Sequence, residues 1–80
     1  MRYILFSRDS CPFCSKAEEL LIKNKIKFDV VNFEESQRDI LEKIKEAHQW
    51  KTVPMVFARE GNKIDFVGGY TDLVEYLKNE

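Results

Sequence analysis

The chain has 80 residues, 44% hydrophobic and 34% charged, enough for one domain and too polar throughout for a membrane span. Its 13 basic and 14 acidic side chains are interspersed, so no basic stripe points to nucleic acid or an anionic membrane as partner. Two cysteines are too few for a disulfide scaffold, and with no export signal read in MRYILFSRDS the expected compartment is a reducing cytoplasm.

In chain order, YILF at 3–6 is an apolar run of the length a buried strand needs. Pro12, directly after Cys11, suits the first position of a helix, where a missing N–H costs nothing. Ala17, Leu20 and Leu21 continue that helix to about Asn24. KFDVVNF reads as a second strand with Phe28 and Val30 alternating. Ser36 and Asp39 form a variant capping box that opens a helix with Ile40, Leu41, Ile44 and Ala47 on its apolar face. PMVFA at 54–58 and KIDFV at 63–67 are two further strands, joined through the hairpin chemistry of Gly61-Asn62. Pro54 lacks an N–H and fits the start of its strand. Gly68-Gly69 ends the fourth strand, and Thr71 caps a last helix with Leu73, Val74 and Leu77 inward. The order βαβαββα predicts one α/β domain over residues 1–80, a four-stranded mixed sheet flanked by three helices that cover both faces.

The chemistry concentrates in CPFC at 11–14. A structural zinc site needs four ligands, and this chain offers one cysteine pair and a distant His48, so no metal site is expected. A static disulfide across so short a loop restrains the unfolded chain little and does not persist in a reducing compartment. A pair that opens and closes during a reaction remains. Thiolate, not thiol, is the nucleophile in disulfide exchange, and a sulfur at a helix N-terminus is favoured as the anion. The helix dipole supplies at most ~2 kcal/mol of that preference. First-turn N–H groups, the Cys14 thiol and the cations Arg8 and Lys16 are expected to supply the rest, with Asp9 opposing. Cys14, one turn further in, is expected to be more buried, near an ordinary thiol range, and to act as resolving thiol. His48 reads as a helix-end or solvated histidine, and Trp50 as a core or rim aromatic.

CPFC at 11–14, TVPMVF at 52–57 and GGYTDL at 68–73, in that order and at those separations, resemble the dithiol glutaredoxins over essentially the whole chain. The resemblance implies a thioredoxin-like fold, a cis peptide before Pro54 and a glutathione-dependent thiol–disulfide oxidoreductase with no permanently bound cofactor. Cys11 and Cys14 would be catalytic. Glutathione, as co-substrate, would lie against Arg8, Phe13, Lys51, Thr52, Val53, Pro54, Gly69, Tyr70, Thr71 and Asp72. Val53 would pair its backbone with the glutathione cysteine, and Gly69 would permit close approach. Thr71 and Asp72 would receive the γ-glutamyl end, and Arg8 or Lys51 the glycine carboxylate.

Expected partners are disulfide-containing or glutathionylated proteins, ribonucleotide reductase among the compatible acceptors, with the enzyme acting as a monomer. The family most often has tyrosine between its cysteines; Phe13 keeps the ring and loses the hydroxyl. Met55 is expected at the groove rim, where it would tune substrate range. Two rival readings stay open: a redoxin served by thioredoxin reductase, and an iron–sulfur carrier dimer, whose relatives usually lack proline after the first cysteine.

Overall fold

The computed structural model describes residues 2–78. The elements follow as β1 (Arg2–Arg8), α1 (Pro12–Lys23), β2 (Phe28–Phe33), a 3-10 turn (Glu35–Gln37), α2 (Arg38–Ala47), β3 (Met55–Glu60), β4 (Lys63–Gly68) and α3 (Tyr70–Lys78). The sheet order is β2-β1-β3-β4. β1 pairs parallel with β2 and antiparallel with β3, and β3 pairs antiparallel with β4. The predicted order and mixed sheet are therefore observed, and the fold is thioredoxin-like.

The two-residue period of the strands divides the core between two faces. Tyr3, Leu5, Val56 and Ala58 point to the face covered by α1, through Ala17 and Leu21, and by α3, through Leu73. Ile4, Phe6, Met55 and Phe57 point to the other face, where Leu41 and Ile44 of α2 close over them. The second face is an aromatic cluster: Phe6 meets Phe33 and Phe57 at centroid distances of 5.3 and 5.1 Å, and Phe57 meets Phe66 at 5.1 Å. Tilted and edge-on rings at such distances add modestly to area burial.

Both α1 and α2 end in Schellman turns. After α1, Ile26 N–H reaches Leu21 O and Lys25 N–H reaches Ile22 O, both at 3.0 Å, with Lys25 at φ 57°. After α2, Trp50 N–H reaches Lys45 O at 2.8 Å and Gln49 N–H reaches Glu46 O at 3.1 Å, with Gln49 at φ 52°. The second turn delivers Trp50 to the sheet end that also holds Val53 and Pro54.

Several local expectations are corrected. The capping box ahead of α2 is Glu34 with Gln37, not Ser36 with Asp39: Glu34 N–H donates to Gln37 Oε1 at 3.0 Å. Within α2 only Leu41 and Lys45 are buried, whereas Ile40 is 54% exposed and Ala47 is exposed. A ten-residue helix lying on one face of the sheet buries a narrow stripe, and the long lysine stem fills part of it. Lys45 keeps its ammonium near Glu42, 3.4 Å away. Val30 does not alternate inward with Phe28. β2 is an edge strand, and Val30 and Val31 are each 40% exposed. Met55 is not at the rim but fully buried. Pro54 precedes β3 instead of opening it, and α3 begins at Tyr70, leaving Thr71 inside the helix rather than as its cap.

Candidate active site

Cys11 occupies the N-cap of α1, with extended backbone (φ −105°, ψ 105°) and Pro12 as the first helical residue. Its neighbour Ser10 takes a left-handed conformation (φ 59°), which turns the chain from β1 into the helix. In most helices a serine or aspartate oxygen caps the third N–H. Here the cap is sulfur: Cys14 N–H donates to Cys11 Sγ at 3.3 Å. The sulfur therefore satisfies one of the backbone donors that a helix start leaves without an intrahelical acceptor. In the protonated form the Cys11 thiol donates to the Val53 carbonyl at 3.8 Å. The half-exposed sulfur thus sits between the start of α1 and the Val53–Pro54 peptide bond, which is cis.

Cys14 lies on the inner side of the helix, 2% exposed. Burial first, then the bond with Cys11, pushes its thiol up to about 12, against a lowering contribution from a backbone hydrogen bond with Arg8. This departs from the ordinary range expected of it. Sequence spacing shows which cysteine lies deeper; the desolvation cost depends on what packs around it. Both cysteines are free.

Two depressions flank the pair. The first is a groove of about 340 Å³ lined by Phe13, Trp50, Thr52, Val53, Pro54, Gly69, Tyr70, Thr71 and Asp72. It brings together eight of the residues named for glutathione, drawn from α1, the segment before β3 and the start of α3. Phe13 and Tyr70 face each other across it with ring centroids 6.1 Å apart. Lys16 is stacked on the Phe13 ring, its Nζ 5.0 Å from the centroid. Asp72 reaches back to the helix start, accepting from the Gly69 N–H at 2.9 Å. The first intrahelical bond runs from Leu73 N–H to Gly69 O, so the N–H groups of Tyr70, Thr71 and Asp72 precede the helix's own acceptors.

Arg8 and Lys51 do not line this groove. Arg8 lies on the other side of the cysteine pair and is ion-paired with Glu35 at 3.2 Å. Lys51 is exposed in the segment before β3. The second depression, a polar cleft of about 480 Å³, is walled by Arg8, Asp9, Cys11, Cys14, Glu18 and Asn32 among others. Asn32 ties its upper wall together, donating to Asp9 Oδ1 at 2.8 Å.

Sequence reasoning missed three features here. Trp50 packs against the second core as a core or rim aromatic should, but it also forms a groove wall that the sequence does not single out, its indole N–H buried with no acceptor among the described residues. Gly68, not Gly69, is the position that demands glycine: its φ is 126°, and a Cβ there would sit 2.5 Å from Asp72 Oδ2. Glu18 was passed over, although its position four residues after Cys14 on a helix places it on the same face. His48 is a helix-end residue as expected, closing α2 with its ring against Phe57 and Phe66.

The family model described as Glutaredoxin matches residues 3–62. This chain belongs to the glutaredoxin family. Members are thiol–disulfide oxidoreductases, and the free pair at the start of α1 is the redox-active motif of such a fold. Similar solved structures share the fold. The dithiolic glutaredoxin 2-C-Grx1 of Trypanosoma brucei brucei is 31% identical, with a TM-score of 0.71 over 96% of this chain and 77% of that one. A buckwheat glutaredoxin, solved as a complex with glutathione, is 23% identical with a TM-score of 0.79 over 96% of this chain and 68% of that one. The glutaredoxin-like NrdH-redoxin of Escherichia coli, described by its thioredoxin-like activity profile, is 18% identical with a TM-score of 0.66 over 96% and 95%. The comparison with curated proteins returned no match. No helix among the described residues of this glutaredoxin is long and apolar enough to cross a membrane.

Proposed function

We propose that residues 1–80 act as one monomeric, cytoplasmic unit that reduces protein disulfides and glutathione–protein mixed disulfides with glutathione as electron source. The observation that carries this reading is the sulfur cap: Cys11 Sγ receives the Cys14 N–H at 3.3 Å and lies 3.8 Å from the carbonyl of Val53, a residue of the groove that Pro54 and the start of α3 also line.

Cys11 thiolate attacks the glutathione sulfur of a mixed disulfide, and the protein thiol departs as the new bond forms. Glutathione stays in the groove, its cysteine backbone paired with Val53 in a short antiparallel ladder. Its γ-glutamyl carboxylate meets the free N–H groups of α3, and Asp72 meets its ammonium. Of the two cations named for the glycine carboxylate, Lys51 remains, since Arg8 is paired with Glu35. A second glutathione thiolate then attacks the bound glutathione sulfur, releasing glutathione disulfide and restoring Cys11. With a protein disulfide, Cys14 attacks Cys11 Sγ of the protein adduct instead, leaving an oxidised 11–14 pair for glutathione to reduce. Ribonucleotide reductase is an acceptor compatible with this dithiol route.

A second reading has one observation in its favour. Among the described residues Asp72 is the only charged one lining the groove, so none of them builds a cation into it for a glycine carboxylate. That feature suits a redoxin served by thioredoxin reductase. Turnover of a glutathione mixed disulfide, coupled to glutathione reductase or to thioredoxin reductase, separates the two. Glutathione-driven turnover is expected. Turnover only with thioredoxin reductase would establish the rival. Cys11→Ser is expected to abolish both activities, and Cys14→Ser to keep deglutathionylation while losing the dithiol route. Equal loss in both variants of the deglutathionylation assay would overturn the role assignment.

A further inference from the structure

The adduct on Cys11 faces two fates, attack by an external thiol from the groove side or attack by Cys14 from within. The polar cleft on the opposite side of the pair holds a carboxylate that bears on the choice. Glu18 lies one helical turn beyond Cys14, half-buried on the cleft wall. No ion pair among the described residues engages it. Of the other charged groups at the cleft, Arg8 is paired with Glu35, and Asp9 is held on the wall by a hydrogen bond from the neutral Asn32 amide, whereas Glu18 is the one on the helix face of Cys14.

We propose that Glu18 partitions the Cys11 adduct, its uncompensated carboxylate beside Cys14 slowing closure of the 11–14 disulfide and so favouring release by an external thiol. The inference rests on the resolving role assigned to Cys14, and it concerns route selection, which that assignment leaves open.

The physics is that of like charges in a partly dry site. Closure requires Cys14 to lose its proton to solvent and become a thiolate. That thiolate attacks Cys11 Sγ, the S–S bond to the substrate breaks, and the electron pair leaves on the substrate sulfur, which takes a proton from water. The pair ends oxidised by two electrons and the substrate reduced by two. A carboxylate on the same helix face opposes the new negative charge. Three groups act on the Cys14 sulfur besides burial: the Cys11 side chain, the Arg8 backbone and the Glu18 charge. Only the last can be changed without altering the pair or the strand. Neutralising it raises the thiolate fraction tenfold per pKa unit, while nucleophilicity falls with a Brønsted slope of roughly 0.4–0.5, so closure gains on balance.

The test uses an adduct that does not depend on glutathione. Reaction of the reduced protein with 5,5′-dithiobis(2-nitrobenzoate) releases one coloured thiolate as Cys11 is loaded and a second as Cys14 closes, resolved by stopped-flow absorbance. Glu18→Gln is expected to speed the second release about two-fold at neutral pH, and Glu18→Lys about four-fold. In both, the pH profile of the second phase moves to lower pH, with the first phase unmoved. In the Cys14→Ser background, where there is no second release, glutathione-driven deglutathionylation should not respond to Glu18→Gln. An unchanged or slower second phase in Glu18→Gln overturns the inference, as does an equal response in the Cys14→Ser background. Absence of any second release in the parent protein overturns the resolving role of Cys14, and the inference with it. Failure of glutathione turnover alone leaves this readout intact and strikes only the choice of electron source.

Discussion

Gly68 joins β4 to the helix that closes the groove, with a backbone angle that side chains rarely adopt. Gly68→Ala adds strain there and drives a methyl into Asp72, which must release the Gly69 N–H. A loss of about 1–3 kcal/mol is expected, read as a lower urea midpoint. At Gly69 the same change meets only ordinary contacts, Trp50 Cζ2 at 3.5 Å being the nearest atom. Gly69→Ala should therefore fold normally, and under the proposed binding mode should weaken glutathione turnover. Cys14 carries a separate prediction. Its thiol is raised in the folded, reduced protein, so that form is favoured while the thiol stays protonated. As pH rises past the free-thiol range near ~8.5 the unfolded chain loses that proton first, and stability falls progressively towards about 12. Reduced protein should lose stability over this window in denaturation at graded pH, and the oxidised form should lack this component.

At the scale of elements, α1 and α2 both end on non-glycine residues held in the left-handed region by Schellman bonds. A side chain there costs about 1–2 kcal/mol relative to the right-handed form, partly offset by the extra freedom glycine has when unfolded. Lys25→Gly and Gln49→Gly should each stabilise by about 0.5–1 kcal/mol, seen as a higher Tm. Lys25 lies away from the groove and should leave activity alone; Gln49 adjoins Trp50, so its replacement also tests whether that wall must be rigid. The ion pair between Arg2 and Asp29 ties β1 to the edge strand β2 through two bonds, of 2.6 and 2.8 Å. The guanidinium holds the Asp29 carboxyl below its usual range, so whatever the pair contributes is present above that range and lost on acidification. Both side chains are about half exposed, and screening keeps that contribution small.

The molecule as a whole depends on two modest cores pressed against one sheet. A chain of 80 residues has about 4–12 kcal/mol of net stability in all. Leu5 is fully buried under α1 and α3, and Leu5→Ala should remove about 2–5 kcal/mol. The variant should show a sharply lower urea midpoint, and at growth temperature a substantial unfolded fraction. The groove inherits this fragility: Phe13, Val53 and Tyr70 come from three separate parts of the chain, and only sheet and helix packing keeps them opposed.

The element order, the hairpin and the position of Cys11 were legible in the sequence. Each depends on neighbours within a few residues, through strand period, turn chemistry and the place of a proline at a helix start. The family's three motifs were legible for the same reason, as short contiguous strings. Tertiary structure alone decided which strand lies at an edge, leaving Val30 exposed, and that Met55 is core rather than rim. It alone turned Arg8 away to Glu35, made Gly68 the demanding glycine and raised the Cys14 thiol. Burial and the choice of charge partner are sums over groups distant in sequence, and no local pattern contains them.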